Sequence, residues 1–151
     1  IDYMKSYVSK DMKQSDHSFC DSLHDILQTT EIIPNSISAD SFFEDLNIDM
    51  ISDAEITKKQ INSINKRLRI SHTVEEQESE TVLEGLNIVV IDRGCEEINT
   101  SVYSVGRKKV NPNHKAVMLL YDGMTYKPIY KLKNEKMTGM FESEKIKKFL
   151  K

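Results

Sequence analysis

The sequence predicts an α+β domain in which N-terminal helices pack on a small, mostly antiparallel sheet. Apolar residues recur at helical spacing through residues 1–70, whereas continuous apolar runs and a hairpin signal occupy residues 86–132. Helices followed by strands, rather than the two in alternation, are typical of α+β proteins. The 151 residues suffice for one hydrophobic core, so we expect a single domain over 1–151. A start at Ile1 rather than Met is compatible with a fragment of a longer protein.

Three helices are predicted in the first half of the chain, and residues 1–14 also show helical spacing. Ser18 is a suitable cap for a helix over 18–28, whose apolar face consists of Phe19, Leu23, Ile26 and Leu27. A short helix is expected to open at Ser38, and a third is expected over 52–68.

An acidic segment, SHTVEEQESE at residues 71–80, follows the helices. It has almost no apolar side chains to bury, so we expect a solvated, mobile loop. Residues 81–85 end at a glycine, which favours a short helical turn with a C-terminal glycine cap.

The strands are predicted after this loop. Residues 86–92 form a continuous β-branched run that is typical of a strand buried on both faces. A second strand is expected over 97–105, and an amphipathic helix over 142–151.

A β-hairpin is predicted for the stretch AVMLLYDGMTYKPIYKL at residues 116–132. Asp122-Gly123 between two apolar runs is a strong signal for a tight turn. Pro128 lies inside the second run and has no N–H to donate, so that strand is expected to lie at an edge or begin late.

The composition argues against several kinds of site. No apolar run reaches the roughly 20 residues needed to span a bilayer, so no membrane partner is expected. The five glycines are not clustered, which excludes a phosphate-binding loop. The two cysteines and four histidines have no paired spacing, so we expect no metal and no cofactor. Two cysteines without a secretory signal indicate reduced thiols in a cytoplasmic compartment.

The net charge of −3 is unevenly distributed, with −7 over residues 1–60 and +8 over 106–151. Two interpretations stay open. The C-terminal lysines solvate the surface or attract the acidic half of the chain. Alternatively, a basic segment at 107–109 and the C-terminal lysines bind an anionic partner such as nucleic acid, through residues that include Arg107, Lys108 and Lys109.

Three segments together resemble the ovarian-tumour (OTU) family of papain-like cysteine peptidases: HSFCDSLHDIL, TVLEGLNIVVID and AVMLLYDGMTYKPIY. The family has a nucleophilic cysteine at a helix start, a helix that runs into a buried strand, and a closing hairpin that carries the general-base histidine. Divergent OTU-like modules in proteins of large DNA viruses are more similar still. They share a Ser-Phe pair, here Ser18-Phe19, and a Tyr-x-Pro-Ile-Tyr ending, here at residues 126–130.

The residues that carry the family's chemistry differ in this chain. With Asp16 aligned on the family's aspartate, Phe19 rather than Cys20 stands at the nucleophile position. One residue along a helix is a turn of about 100°, which aims the Cys20 thiol elsewhere. Thr125, followed by Tyr126, stands where the family has its histidine. A threonine hydroxyl cannot accept a proton near neutral pH, so the base is missing.

Three functional hypotheses follow. The first is a non-catalytic OTU-like interaction or structural module of a viral protein, located in the host cytoplasm or the virion, with a ubiquitin-like or viral protein as its partner. In this hypothesis Phe19, Tyr126 and Tyr130 are either partner contacts or core, and core is favoured for Tyr130. The second is an active OTU-type deubiquitinase with Cys20 as nucleophile and His24 or His17 as base. The third is a nucleic-acid-associated domain that uses the basic C-terminal part.

Overall fold

The computed structural model describes residues 7–74, 78–92, 101–102 and 113–146. The strands in these ranges are β1 Tyr7–Ser9, β2 Arg69–Val74, β3 Glu78–Glu84, β4 Asn87–Asp92, β5 Ser101–Val102, β6 Lys115–Tyr121, β7 Tyr126–Lys133, β8 Lys136–Thr138 and β9 Phe141–Glu142. The helices are α1 Ser18–Thr29, α2 Ala39–Asp45, α3 Lys58–Arg67 and α4 Ser143–Ile146, with a 3-10 helix at Asp53–Glu55. Within these ranges, every helix is too short or too polar to cross a membrane.

The main sheet has the strand order β1-β7-β6-β4-β5. Strands β4 and β6 are parallel, with Asn87 opposite Ala116 and Asp92 opposite Tyr121, and the other described pairs are antiparallel. The predicted α+β class with a mostly antiparallel sheet is therefore confirmed.

The sheet divides between β6 and β7. These strands pair directly beside their turn, where residues 119–121 lie opposite 126–128. Farther from the turn, β8 pairs with β7 and β9 pairs with β6. Lys131 of β7 pairs with Tyr7 of β1 on one side and with Thr138 of β8 on the other, so β8 lies on the β6 side of β7. We call this division, filled by β8 and β9, the fork.

The two faces of the sheet bury different clusters. Helices α1, α2 and α3 cover one face, and their apolar side chains pack on strand residues that include Ile88, Val90, Val117, Leu119, Tyr126 and Tyr130. The alternate strand residues form a smaller cluster on the opposite face, made of Val89, Ile91, Ala116, Met118, Ile129 and Phe141. The period of two along each strand produces this separation.

The predicted helix over 18–28 is confirmed as α1, and the helix predicted over 52–68 is shorter. Residues 53–55 form a separate 3-10 helix, and α3 begins at Lys58. Thr57 and Gln60 form a capping box there, which satisfies two backbone N–H groups and fixes the start of α3.

The loop predicted over 71–80 and the helical turn predicted over 81–85 are wrong. Antiparallel strands β2 and β3 occupy 69–74 and 78–84 and form a second, two-stranded sheet. Strand pairing satisfies the backbone hydrogen-bonding groups of both segments. It does not require each segment to bury apolar side chains. Residues 75–77 lie outside the described ranges.

The edge position predicted for the second hairpin strand is also wrong, because β7 lies between β6 and β1. The Pro128 carbonyl oxygen accepts a hydrogen bond from Lys10 N at 3.0 Å, beyond the end of β1 at Ser9. An N–H at Pro128 would point to the same side, so the missing donor coincides with the end of the β1 ladder and removes no bond between β7 and β6. Residues 7–9 form β1 rather than part of a helix.

Two further predictions are only partly covered by the described residues. Of the strand predicted over 97–105, residues 101–102 are described and form β5. Of the helix predicted over 142–151, residues 143–146 are described and form α4.

Candidate functional site

The start of α1 lies against the start of β7, the two elements that carry the residues compared with a peptidase site. Tyr126 N donates to Ser18 Oγ at 2.7 Å, and Ser22 Oγ donates to Tyr126 O at 3.1 Å. The rings of Phe19 and Tyr126 meet edge to face, with centroids 5.3 Å apart. Helix α1 and strand β7 are therefore joined both by hydrogen bonds between serine hydroxyls and the Tyr126 backbone and by ring packing.

Asp53 supplies the cap of α1 from 35 residues away. Its carboxylate accepts hydrogen bonds from Ser18 N at 3.0 Å, Ser18 Oγ at 2.5 Å and Phe19 N at 2.9 Å. Its own N–H donates to Asp16 O at 2.7 Å. We call the set Asp53, Ser18, Ser22 and Tyr126 the capping junction.

The capping role predicted for Ser18 is corrected by this geometry. Ser18 is the first residue of α1, and the N-cap residue, His17, makes no side-chain capping bond. The first N–H groups of a helix have no partner within the helix and attract negative charge. The Asp53 carboxylate satisfies two of them, and the Ser18 hydroxyl connects that carboxylate to β7.

The Cys20 thiol lies on α1 but not at an open surface. Its side chain is 0% exposed and belongs to the main core cluster. Burial raises its pKa from 9.0 to about 12, against a smaller lowering by a backbone hydrogen bond from Ile51, and the charges of Asp21 and Asp53 raise it further. Only the thiolate is a strong nucleophile, so this thiol is inert near neutral pH.

Neither histidine considered as a base is hydrogen-bonded to Cys20 in the described structure. His24 is buried, and its Nε2 lies 2.8 Å from the Ile37 carbonyl oxygen. A carbonyl oxygen only accepts, so Nε2 carries the proton and donates it there. His17 precedes the helix, and its Nδ1 is buried without a hydrogen-bond partner.

The hairpin turn is built by Asp122, as the sequence predicts. Asp122 Oδ1 accepts from Met124 N at 2.9 Å and from Thr125 N at 2.8 Å, and Gly123 has φ +94°. Partial burial raises the pKa of Asp122, but these two backbone bonds and Lys127 together lower it. Thr125 is thereby held beside the start of β7.

The aromatic residues considered as partner contacts are all in the core. Phe19 and Tyr130 are 0% exposed and Tyr126 is 4% exposed. The Tyr130 hydroxyl donates to the Asp25 carboxylate, which also pairs with Lys10 at 2.9 Å. Burial, followed by the hydrogen bond to Asp25, raises the Tyr130 pKa.

The structure brings the four residues compared with the peptidase site to one place. Phe19 contacts Tyr126, which directly follows Thr125. The Asp16 carbonyl oxygen accepts a hydrogen bond from Asp53 N. Arg107, Lys108 and Lys109 lie outside the described residues. In the described ranges, no group of three or more His, Cys, Asp or Glu side chains is placed to hold a metal.

Sequence patterns did not reveal the residue on which this site depends. The position of Asp53 after Ser52 predicts a role at the start of its own helix, and nothing local connects it to Ser18.

No family model matches the sequence, and no curated protein is significantly similar to it.

Replacing the Asp53 carboxylate tests the capping junction. We expect Asp53→Ala to lower the free energy of unfolding by about 2–3 kcal/mol, because two helix N–H groups and the Ser18 hydroxyl lose a charged acceptor. Asp53→Asn, which keeps one acceptor oxygen, should lose less. Urea unfolding followed by circular dichroism measures both. Asp49→Ala, at an exposed carboxylate, is the matched control and should change stability by less than about 0.5 kcal/mol.

The buried thiol predicts a loss of stability at high pH. The unfolded thiol releases its proton near pH 9 and the folded thiol near pH 12, so unfolding becomes more favourable as the pH rises between these values. Cys20→Ala removes this contribution of up to about 1.4 kcal/mol per pH unit, so its stability should fall less steeply than that of the wild type. Other groups titrate in both proteins, and parallel curves would show that Cys20 has an ordinary pKa.

Proposed function

We propose that this chain is a non-catalytic OTU-like domain that binds a protein partner. The observation that carries the proposal is the capping junction: the Asp53 carboxylate occupies the helix N–H groups that would otherwise stabilise a thiolate. A negative charge at that position disfavours a second one beside it.

The arrangement of elements supports the OTU part of the proposal. In the resembled family, a helix start faces the second strand of a closing hairpin, and here α1 faces β7 in the same way. The departures support the loss of catalysis. Cys20 is buried within the core, and Thr125 stands at the base position with its N–H bonded to Asp122.

The surface best suited to a partner is the hairpin tip, residues 122–125. Met124 is 79% exposed at this tip, the most exposed large apolar side chain in the described structure. The tip is rigid, because Asp122 holds two backbone N–H groups and the Tyr121 hydroxyl donates to Gly123 O at 3.1 Å. An exposed methionine on a fixed turn adapts to apolar partner surfaces. The resemblance favours a ubiquitin-like or viral protein as partner, within the host cytoplasm or the virion.

Labelling with a ubiquitin probe that carries a thiol-trapping C-terminus tests the absence of catalysis. We expect no labelling of the wild type at pH 7.5, because a thiol with a pKa of about 12 contains almost no thiolate at that pH. In the Cys95→Ala variant, a small alkylating reagent should modify the remaining thiol after denaturation and not before. Labelling by the probe that disappears in Cys20→Ala would establish a peptidase and overturn the proposal.

Amide NMR spectra recorded during a ubiquitin titration test the partner surface. We expect shifts that concentrate at residues 122–125 and are lost in Met124→Asp. Leu132→Asp, at the other exposed large apolar residue of the described structure, is the matched control and should bind as the wild type does. Unchanged spectra would exclude ubiquitin as the partner, and shifts that Met124→Asp leaves intact would exclude the tip.

A further inference from the structure

A cleft lies at the fork, near the smaller core cluster. It has a volume of about 370 Å³, at the lower end of the range for ligand sites. Its lining comes from five strands and α4, and the strands that contribute side chains are β1, β6, β7, β8 and β9. The cleft therefore exists because β6 and β7 separate there.

The cleft is strongly basic in a chain whose net charge is −3. Its lining contains four lysines and one glutamate, which leaves three positive charges in excess: Lys115, Lys131, Lys133, Lys145 and Glu142. Glu142 pairs with Lys115. In the described ranges, no carboxylate lies within ion-pairing distance of Lys133, whereas Lys115 and, more weakly, the charge of Lys145 lower the pKa of Glu142.

The lysines are held on rigid elements. Lys131 and Lys133 are alternate residues of β7, so they point to one face of the sheet roughly 6.7 Å apart. The Lys131 ammonium lies 5.5 Å from the centre of the Tyr7 ring, which packs in turn on Phe141 with centroids 5.6 Å apart. Lys131 and Lys133 are thus spaced along β7 beside the rings of Tyr7 and Phe141, which we call the aromatic wall.

We infer that this cleft binds a short segment of single-stranded nucleic acid. The lysine spacing along β7 is comparable with the separation of successive phosphates in an extended strand. The apolar part of the lining, which includes Tyr7 and Met140, offers a surface for a base. An acidic peptide would satisfy the lysines but make no use of the apolar part of the lining. A duplex would keep its bases stacked away from the aromatic wall.

This inference is independent of the proposed protein-binding function. The cleft uses the sheet face that carries Ile129 and Phe141, whereas the capping junction lies on the helix-covered face. The four lysines that line the cleft also lie outside the basic segment singled out at residues 107–109 in the sequence.

Fluorescence anisotropy with a labelled twelve-residue oligothymidine tests the inference on the full chain. With three or four phosphate contacts, affinity should fall roughly 20- to 50-fold between 50 and 200 mM salt. The double variant Lys133→Glu/Lys145→Glu should bind at least tenfold more weakly, and its slope of log affinity against log salt should be shallower by about 1.4. Lys59→Glu/Lys66→Glu, at exposed lysines of α3, is the matched control and should bind as the wild type does.

Competition identifies the chemistry that the cleft recognises. Unlabelled oligothymidine should displace the probe at least fivefold more effectively than inorganic polyphosphate or polyglutamate of the same charge, because only the oligonucleotide presents bases. Equal displacement by polyglutamate or polyphosphate would reduce the cleft to a general anion site and overturn the inference. Unchanged affinity of the double variant, with circular dichroism that matches the wild type, would also overturn it.

Discussion

The hydrogen bonds that Asp53 and Ser18 make hold together three segments that are distant in the sequence. The Asp53 carboxylate accepts hydrogen bonds from the first N–H groups of α1, and the Ser18 hydroxyl links that carboxylate to the backbone of β7. Ser18 is 1% exposed, so each of these polar groups needs its partner within the protein. Without Asp53, the buried hydroxyl would lose its acceptor and α1 would lose its cap at the same time.

The position of α1 fixes much of the remaining structure. Phe19, Leu23, Ile26 and Leu27 on its buried face determine where α2 and the strands can pack. The β7 strand then serves both faces of the sheet. Tyr126 and Tyr130 pack under α1, while Ile129, Lys131 and Lys133 project to the opposite side. One strand therefore anchors the core and also supplies half of the cleft lysines.

The parts of the fold that local signals govern were predictable. The apolar face of α1, the β-branched run of β4 and the Asp122-Gly123 turn each depend on neighbouring residues, and each is present. The β2–β3 sheet was missed because the pairing of Arg69–Val74 with the acidic Glu78–Glu84 decides its structure, and composition does not reveal that pairing. The role of Asp53 was missed for a related reason. A cap supplied from 35 residues away depends on the tertiary fold, and no spacing rule in the sequence encodes it.

The sequence separation across the capping junction constrains how the protein folds during synthesis. Ser22 and Ser18 bind Tyr126, 104 and 108 residues later, and β1 pairs with β7 across a similar distance. Until β7 has left the ribosome, the Tyr126 ring on which Phe19 packs is missing. Contacts of such long range form slowly, because the loop they close must be ordered first. Part of the apolar face of α1 therefore stays exposed during synthesis, and such exposed apolar surface favours binding by chaperones.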